Sequence, residues 1–443
     1  MPESTKTDVG SYFISNYPPF SQWSKDRVSE AVEALHAAPV TLADGRATPL
    51  GLYLHIPFCR KRCKFCYFKV FTDKNAGEIE RYLAALSREI ELVSKLPVMG
   101  GRPFRFVYFG GGTPSYLSSR QLHRLVDRLC DNIDWSLAEE VTFECEPGTL
   151  SESKVQTLKE IGVTRLSLGV EHFNDDILRD NGRAHQSPAI RRAWPWIEAA
   201  GFKSVNIDLI SGMVGETWET WRDTVAKALA LEPDSVTIYQ MELPFNAVYS
   251  QDILDGKIET PVADWPQKRD WVDYAFDEFT ARGYSVSSAY TLIKSPDVIF
   301  SYRDNLWRGS DLLSTGIASF GHASGVHYQN LPEWEAYCGS LEGGEGEGSR
   351  LPLGRALRVT PHQALVREMI LQLKKGWLAP AYFQEKFAVD IVDHWRDAWA
   401  GYEQEGLLTI SGERIELSRR GLLQVDGLLP AFFEAEHRGV RYT

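Results

Sequence analysis

An α/β fold with a parallel sheet curled into a full or partial barrel, followed by a helical module, is what this sequence predicts. Three observations carry the expectation. From about residue 50 onwards, short runs rich in Val, Ile and Phe recur with amphipathic stretches between them. Strands that alternate with helices form βα units, since parallel neighbours need a crossover. About six such units are enough for a complete or open barrel. Beyond a Gly- and Glu-rich run, two helical patterns and a hairpin pattern make a separate C-terminal region.

Taken in order, residues 1–45 form an N-terminal arm. It holds an extended Tyr17-Pro-Pro-Phe20 and one short amphipathic helix over Ser24–Ala38. Residues 46–338 carry the barrel and the loops after it. Its strands are expected at Gly51–His55, Phe104–Phe109, Val141–Glu146, Thr164–Val170, Ser204–Ile210, Ser235–Gln240 and Tyr284–Ser287. Helices are expected at Ile79–Lys95, Ser118–Asn132, Ser151–Ile161, Pro188–Ala200, Thr217–Leu231 and Trp265–Arg282, where apolar residues recur at helical spacing. Residues 339–352 have little to bury and read as a linker. In 353–443, Pro361–Lys374 and Val389–Glu403 read as helices, Leu407–Ile410 and Arg414–Leu417 as a hairpin, and Arg419–Phe433 as a last helix. Helices followed by a hairpin wing describe a winged-helix-like module.

Composition narrows the function classes. Hydrophobic residues make up 43% and charged residues 24%, an ordinary globular balance. A net charge of −12 argues against a nucleic-acid or anionic-membrane surface, so a lid or packing role suits the winged module better than DNA reading. No apolar run approaches the roughly 20 residues of a membrane span. The N-terminus lacks a basic start and an apolar signal core, which makes a reducing cytoplasm the expected location.

Cys59, Cys63 and Cys66 follow the first strand in the order Cys-x3-Cys-x2-Cys. Three thiolates on one loop can converge on a small inorganic group. A cubane [4Fe–4S] cluster usually takes four cysteines, and three would leave one iron open. Zinc more often takes paired Cys-x2-Cys knuckles, and Cys130, Cys145 and Cys338 are too isolated to supply a second pair. Disulfides suit neither the odd number nor a reducing compartment. Incidental structural cysteines are the bland alternative. Gly110-Gly-Gly-Thr-Pro114 ends the second strand and permits a close backbone approach; by itself it can be a mere turn.

Tyr53-x-His55-x-Pro57-x-Cys59-x3-Cys63-x-Phe65-Cys66 resembles the cluster loop of radical S-adenosylmethionine (SAM) enzymes. It is similar, more narrowly, to the branch of oxygen-independent coproporphyrinogen dehydrogenase, its haem-chaperone relatives and the class C radical SAM methyltransferases. The resemblance spans residues from about 50 to 435 and implies an open (β/α)6 partial barrel with a C-terminal helical domain. It implies a [4Fe–4S] cluster on Cys59, Cys63 and Cys66, with SAM bound at the open iron. The matching positions for SAM contacts are Tyr53, Phe65, Gly111, Gly112, Thr113, Glu144, Glu171, Arg183, Asp208 and Met241. They match the branch that binds two SAM molecules, with Glu144 and Glu171 at one level of the barrel mouth. The implied partners are a small-molecule substrate and an external reductant such as flavodoxin.

Two departures bear on the reaction. The coproporphyrinogen enzymes have a further cysteine where this chain has Phe68, and Gln where it has Glu171. The haem chaperones have an acidic residue at the position of Tyr67. On these grounds the first expectation is methyl or methylene transfer, such as C-methylation or cyclopropanation, to an sp² carbon. A haem-binding protein and coproporphyrinogen-type decarboxylation are the alternatives. His322 and His327 are candidates for a proton carrier, a haem ligand or plain core.

Overall fold

In the computed structural model the alternating pattern becomes strands β1 (Leu50–Ile56), β2 (Phe104–Gly111), β3 (Glu140–Cys145), β4 (Arg165–Glu171), β5 (Ser204–Ser211) and β6 (Ser235–Gln240). Next come β7 (Ser285–Val286), β8 (Thr291–Ile293), β9 (Asp311–Thr315), β10 (Phe320–Ala323), β11 (Val326–Asn330) and β12 (Leu353–Arg358). The structure describes residues 16–42, 45–243, 247–257, 262–342 and 350–439. Half of the predicted 339–352 linker, from 343 to 349, lies outside the described residues, as does the arm up to residue 15, and the linker's first three residues instead close the helix Trp334–Leu341. Among the described residues no helix is long and apolar enough to cross a membrane.

The chain divides into two compact units. The larger comprises Trp23–Ile207 and Ile299–Arg358. Its strand order is β12-β11-β10-β9-β1-β2-β3-β4, with β5 next. The pairs β1–β2, β2–β3, β3–β4 and β1–β9 are parallel, whereas β9 to β12 pair antiparallel. With β12 as an edge strand, the sheet is open rather than a closed barrel. Strand β1 is almost wholly buried, as a strand covered on both faces must be. Its helices start where side chains cap them: Asn75 and Ser118 form capping boxes for Ala76–Ser94 and Ser119–Cys130, and Ser151 caps Glu152–Glu160.

Strands β9 to β12 were not foreseen. Their buried positions are often polar, including Asp311, Ser314, Thr315, His327, Gln329 and Asn330, so the apolar signal is missing. Tertiary partners satisfy them: Asp311 pairs with Arg102 at 2.9 Å, and Asn330 Nδ2 donates to Glu89 at 2.6 Å. His327 is fully buried and stacks on Trp23 at 5.0 Å, with His322 beside it at 4.7 Å. That is a core arrangement. The expected helix at Ser24–Ala38 is shorter, a 3-10 turn at Lys25–Arg27 leading into Val28–Leu35.

Glu89 joins helix Ala76–Ser94 to the turn after β9, the end of β11 and the helix Trp334–Leu341. It is 1% exposed and accepts from Gly316 N at 2.8 Å, from Asn330 and from the Tyr337 hydroxyl. Burial outweighs these donors and raises its carboxyl to about 7. A carboxyl raised by folding stabilises fully below its unfolded value, and that contribution is lost as the pH rises through about 7. Urea stability is therefore expected to fall by about 3 kcal/mol between acidic pH and pH 7 on this account. Glu89→Gln should flatten that slope, and an unchanged slope would contradict it.

The smaller unit comprises Met1–Gln22, Asp208–Val298 and Val359–Thr443. There β5 is followed in the sheet by β6, then by β8 and β7, which are antiparallel. The expected strand at Tyr284–Ser287 is only the two-residue β7. Strands β13 (Trp377–Leu378), β14 (Leu408–Ile410) and β15 (Ile415–Leu417) form a separate small sheet, with β14 and β15 as the expected hairpin. Together with helix Pro361–Leu373 they make the winged-helix-like module. The two long helices expected here are broken. Val389–Glu403 becomes Ile391–His394 and Arg396–Gln404. Arg419–Phe433 becomes Arg419–Leu423, Val425–Leu428 and a 3-10 turn at Leu429–Phe432, where Pro430 lacks the N–H a helix needs. Tyr17 of the arm is buried, not a free extension, and its hydroxyl meets Glu434 at 3.1 Å.

Candidate active site

The cysteine loop leaves β1 at Ile56 and is tied down at both ends. Cys59 N donates to Phe71 O at 3.0 Å, and Phe71 N returns a bond to Pro57 O at 2.7 Å. Further along, Lys64 N donates to Asn181 O at 3.1 Å, and Cys66 N donates to Cys63 O at 3.1 Å. The loop is thus shaped by backbone bonds, with its three thiols half-buried and in no disulfide. Burial pushes the Cys59 thiol up to about 11, against the Thr113 hydrogen bond, and the Cys66 thiol up to about 12. The charges of Cys63 and Cys59 also raise the Cys66 thiol.

The donor set fits a polynuclear cluster better than a single ion. Sulfurs around one tetrahedral zinc, with Zn–S near about 2.3 Å, lie roughly 4 Å apart. Among the described residues the one group whose ligand atoms all lie within 4.8 Å of one another is Glu434, Glu436 and His437, in the other unit. The three cysteine sulfurs do not all lie within that distance of one another, and thiolate is the ligand that iron–sulfur clusters take.

Beside it, β2 ends in the glycine turn. Gly111 has φ of +117°, open to glycine but strained for other residues, and a Cβ there would meet the His55 ring at 2.6 Å. A Cβ on Gly112 would lie 2.9 Å from Phe58 O and 3.0 Å from Cys59 Sγ. The turn therefore seats directly on the cysteine loop. Thr113 Oγ1 lies 3.3 Å from Cys59 Sγ. The Gly111 and Gly112 N–H groups, expected to face a ligand, are instead committed to Glu144 at 3.2 Å and Ile56 O at 2.9 Å.

Glu144 also accepts from the Tyr108 hydroxyl at 2.7 Å. Tyr108 stacks on Tyr53 at 5.9 Å, and the Tyr53 hydroxyl lies 3.2 Å from His55 Nδ1. Phe65 is half-buried in the cysteine loop. Glu171 is not level with Glu144, contrary to expectation. The β3–β4 register sets Glu144 beside Ser167, four residues short of Glu171, a displacement of about 13 Å along the strand. Glu171 has φ of +63°, a left-handed conformation that costs roughly 1–2 kcal/mol without glycine. Its carboxylate turns back to Arg183 at 3.4 Å.

Arg183 is the hub. Its Nη2 donates to Gly169 O at 2.8 Å, and its Nη1 donates to Cys63 Sγ at 3.4 Å. Burial works to lower its pKa, but Cys63, Glu171 and Glu146 hold it above the usual arginine value. Sequence reading missed the buried Glu146–His185 pair, 2.8 Å apart. Burial raises the Glu146 carboxyl, yet the His185 hydrogen bond and the nearby charges bring it below the usual range. Its placement one residue past β3 was the available signal. Asp208 and Met241 belong to the smaller unit. There Asp208 is half-buried in β5, and Met241 N donates to Ser211 O at 2.7 Å while its carbonyl accepts from the buried Lys268 at 2.6 Å.

Comparison with known proteins shows what the chain resembles. Residues 53–228 match the radical SAM superfamily, and residues 359–423 match the HemN C-terminal domain. The oxygen-independent coproporphyrinogen III oxidase of Synechocystis is 25% identical over 94% of this chain and 91% of its own length. The heme chaperone HemW of Lactococcus lactis is 31% identical over 64% of this chain and 72% of its own. The structure of coproporphyrinogen III oxidase (HemN) from Escherichia coli, a radical SAM enzyme, superposes with a TM-score of 0.80 at 25% identity, covering 95% and 96% of the two chains. The chain belongs to the radical SAM superfamily, in the branch that holds HemN and HemW. It is a radical SAM enzyme of that type, and membership implies a [4Fe–4S] cluster and SAM.

Proposed function

We propose that this enzyme acts on a tetrapyrrole, by decarboxylation of the coproporphyrinogen III oxidase type. The supporting observation is the extent of the likeness: coproporphyrinogen III oxidases match over both the barrel and the C-terminal module, nearly end to end. Methyl transfer, the first expectation from sequence, has no comparable support among the relatives.

In this reading Cys59, Cys63 and Cys66 hold the cluster, which when bound supplies the electron that cleaves SAM to methionine and a 5′-deoxyadenosyl radical. Thr113 supports the Cys59 sulfur through its hydroxyl. Arg183 offsets the negative charge at Cys63 and Glu171. Glu144, fixed by Tyr108 and Gly111 N, offers a carboxylate to the cationic part of SAM. Tyr53, Phe65 and Gly112 complete the proposed SAM contacts in the larger unit.

Anaerobically reconstituted protein, given reductant, methyl-labelled SAM and coproporphyrinogen III, tests the proposal. The expected result is carbon dioxide release from the porphyrinogen with matching methionine and 5′-deoxyadenosine. SAM cleavage with an unchanged porphyrinogen would overturn it, as would haem binding without turnover, which would favour the chaperone activity.

A second reading, methyl or methylene transfer with two SAM molecules, draws on Phe68 and Glu171, which replace the cysteine and glutamine of the coproporphyrinogen enzymes. Label from the SAM methyl group in a product other than methionine, with two SAM bound per chain, would establish it.

A further inference from the structure

A second loop is built against the cysteine loop. Asn181, Gly182 and Arg183 each meet one part of it in turn. Lys64 N donates to Asn181 O at 3.1 Å, and Arg183 Nη1 donates to Cys63 Sγ at 3.4 Å. Between them Gly182, at φ of +78°, lies so close that a Cβ would stand 3.2 Å from Lys64 N and 3.5 Å from Arg62 O. Two residues beyond Arg183, His185 anchors the segment to two strands. Its Nδ1 lies 2.8 Å from Glu146, just past β3, and its Nε2 lies 3.3 Å from Val170 O in β4. Glu146 and His185 are 7% and 4% exposed, so water cannot readily replace either contact. An arginine kept only to offset Glu146 and Glu171 would need no contact with a sulfur. This one is aimed at Cys63 by the loop that carries it.

We propose that Arg183, held in place by His185 and Glu146, raises the reduction potential of the bound cluster through its hydrogen bond to Cys63. The inference rests on the reading that Cys59, Cys63 and Cys66 hold that cluster. Reduction adds one electron, taken from an external one-electron reductant, with no bond formed or broken. The negative charge around the three thiolates therefore grows. A guanidinium that donates to one of those sulfurs favours the more negative state, because hydrogen bonds to the sulfurs and local charge set such potentials. Burial strengthens the effect, since little water is present to screen it. Arg183 makes the direct contact, and His185 and Glu146 are positioning residues that act through it.

The test is a redox titration of the reconstituted full chain without SAM, followed by the electron paramagnetic resonance of the reduced cluster. Arg183→Met is expected to lower the reduced-to-oxidised ratio at a fixed potential about tenfold, which is a shift of about 59 mV for one electron. Arg183→Lys should fall between that variant and the parent, since it keeps the charge but not the fork. It also serves as the test should Arg183→Met fail to fold. His185→Gln should lower the ratio severalfold in the parent and no further in the Arg183→Met chain, the mark of a residue that acts through the arginine. An unchanged potential in the Arg183 variants, with SAM affinity alone reduced, would overturn the proposal and leave Arg183 as a SAM contact. Additive shifts at His185 and Arg183 would overturn the positioning role. A parent chain that takes up no iron and gives no cluster signal would overturn the cluster reading, and the inference with it.

Discussion

Cys63→Ala is expected to yield a folded chain that assembles no stable [4Fe–4S] cluster and cleaves no SAM. Two thiolates are too few to hold a cubane with one open iron. Cys59→Ala and Cys66→Ala should behave alike, since the backbone bonds at Phe71 and Asn181 shape the loop without the sulfurs. At Cys63 there is a further consequence, because the sulfur accepts from Arg183 at 3.4 Å. Cys130, Cys145 and Cys338 are the controls. Cys130 is exposed, and the other two are buried, so their alanine variants should keep iron while losing at most about 1 kcal/mol of stability at the buried sites. Iron content and the visible absorption of the cluster decide the matter. Retention of iron in the trio variants, with loss in a control, would reverse the assignment.

Arg183→Met should cost about 3–5 kcal/mol in urea unfolding, as removal of one partner from a buried ion pair does. The guanidinium and the Glu171 side chain are each only 12% exposed. Without Arg183 the Glu171 carboxylate and the Gly169 carbonyl lose a buried partner. Arg183→Lys should recover part of the loss, because an ammonium keeps the charge but cannot span Gly169, Glu171 and Cys63 as the planar fork does. SAM affinity should weaken in both. A stability change below about 1 kcal/mol for Arg183→Met would show that water already satisfies these groups.

The reaction class was legible because its chemistry is local. Three cysteines within eight residues carry the resemblance to the radical SAM family almost alone, whereas the triple glycine at a strand end takes its meaning only beside them. The βα alternation was equally readable, since apolar strands and capped amphipathic helices each announce themselves by period. Beta strands 9 to 12 did not, because their buried polar residues are satisfied by partners far away in sequence, such as Glu89 for Asn330. The short helices broken at Trp395, at Gln424 and before Pro430 likewise read as longer ones.

By itself, then, the sequence determined the cluster loop, the glycine turn, the order of the six alternating strands and the hairpin of the C-terminal module. Tertiary structure alone decided how the site is wired. Register, which no single strand encodes, moved Glu171 away from the level of Glu144. Packing placed Arg183 between Cys63, Gly169 and Glu171, and it buried Glu146 against His185. Each of these contacts joins residues from different elements, and their geometry exists only once the sheet has aligned its strands and low-dielectric burial has made an unpaired charge too costly to leave alone.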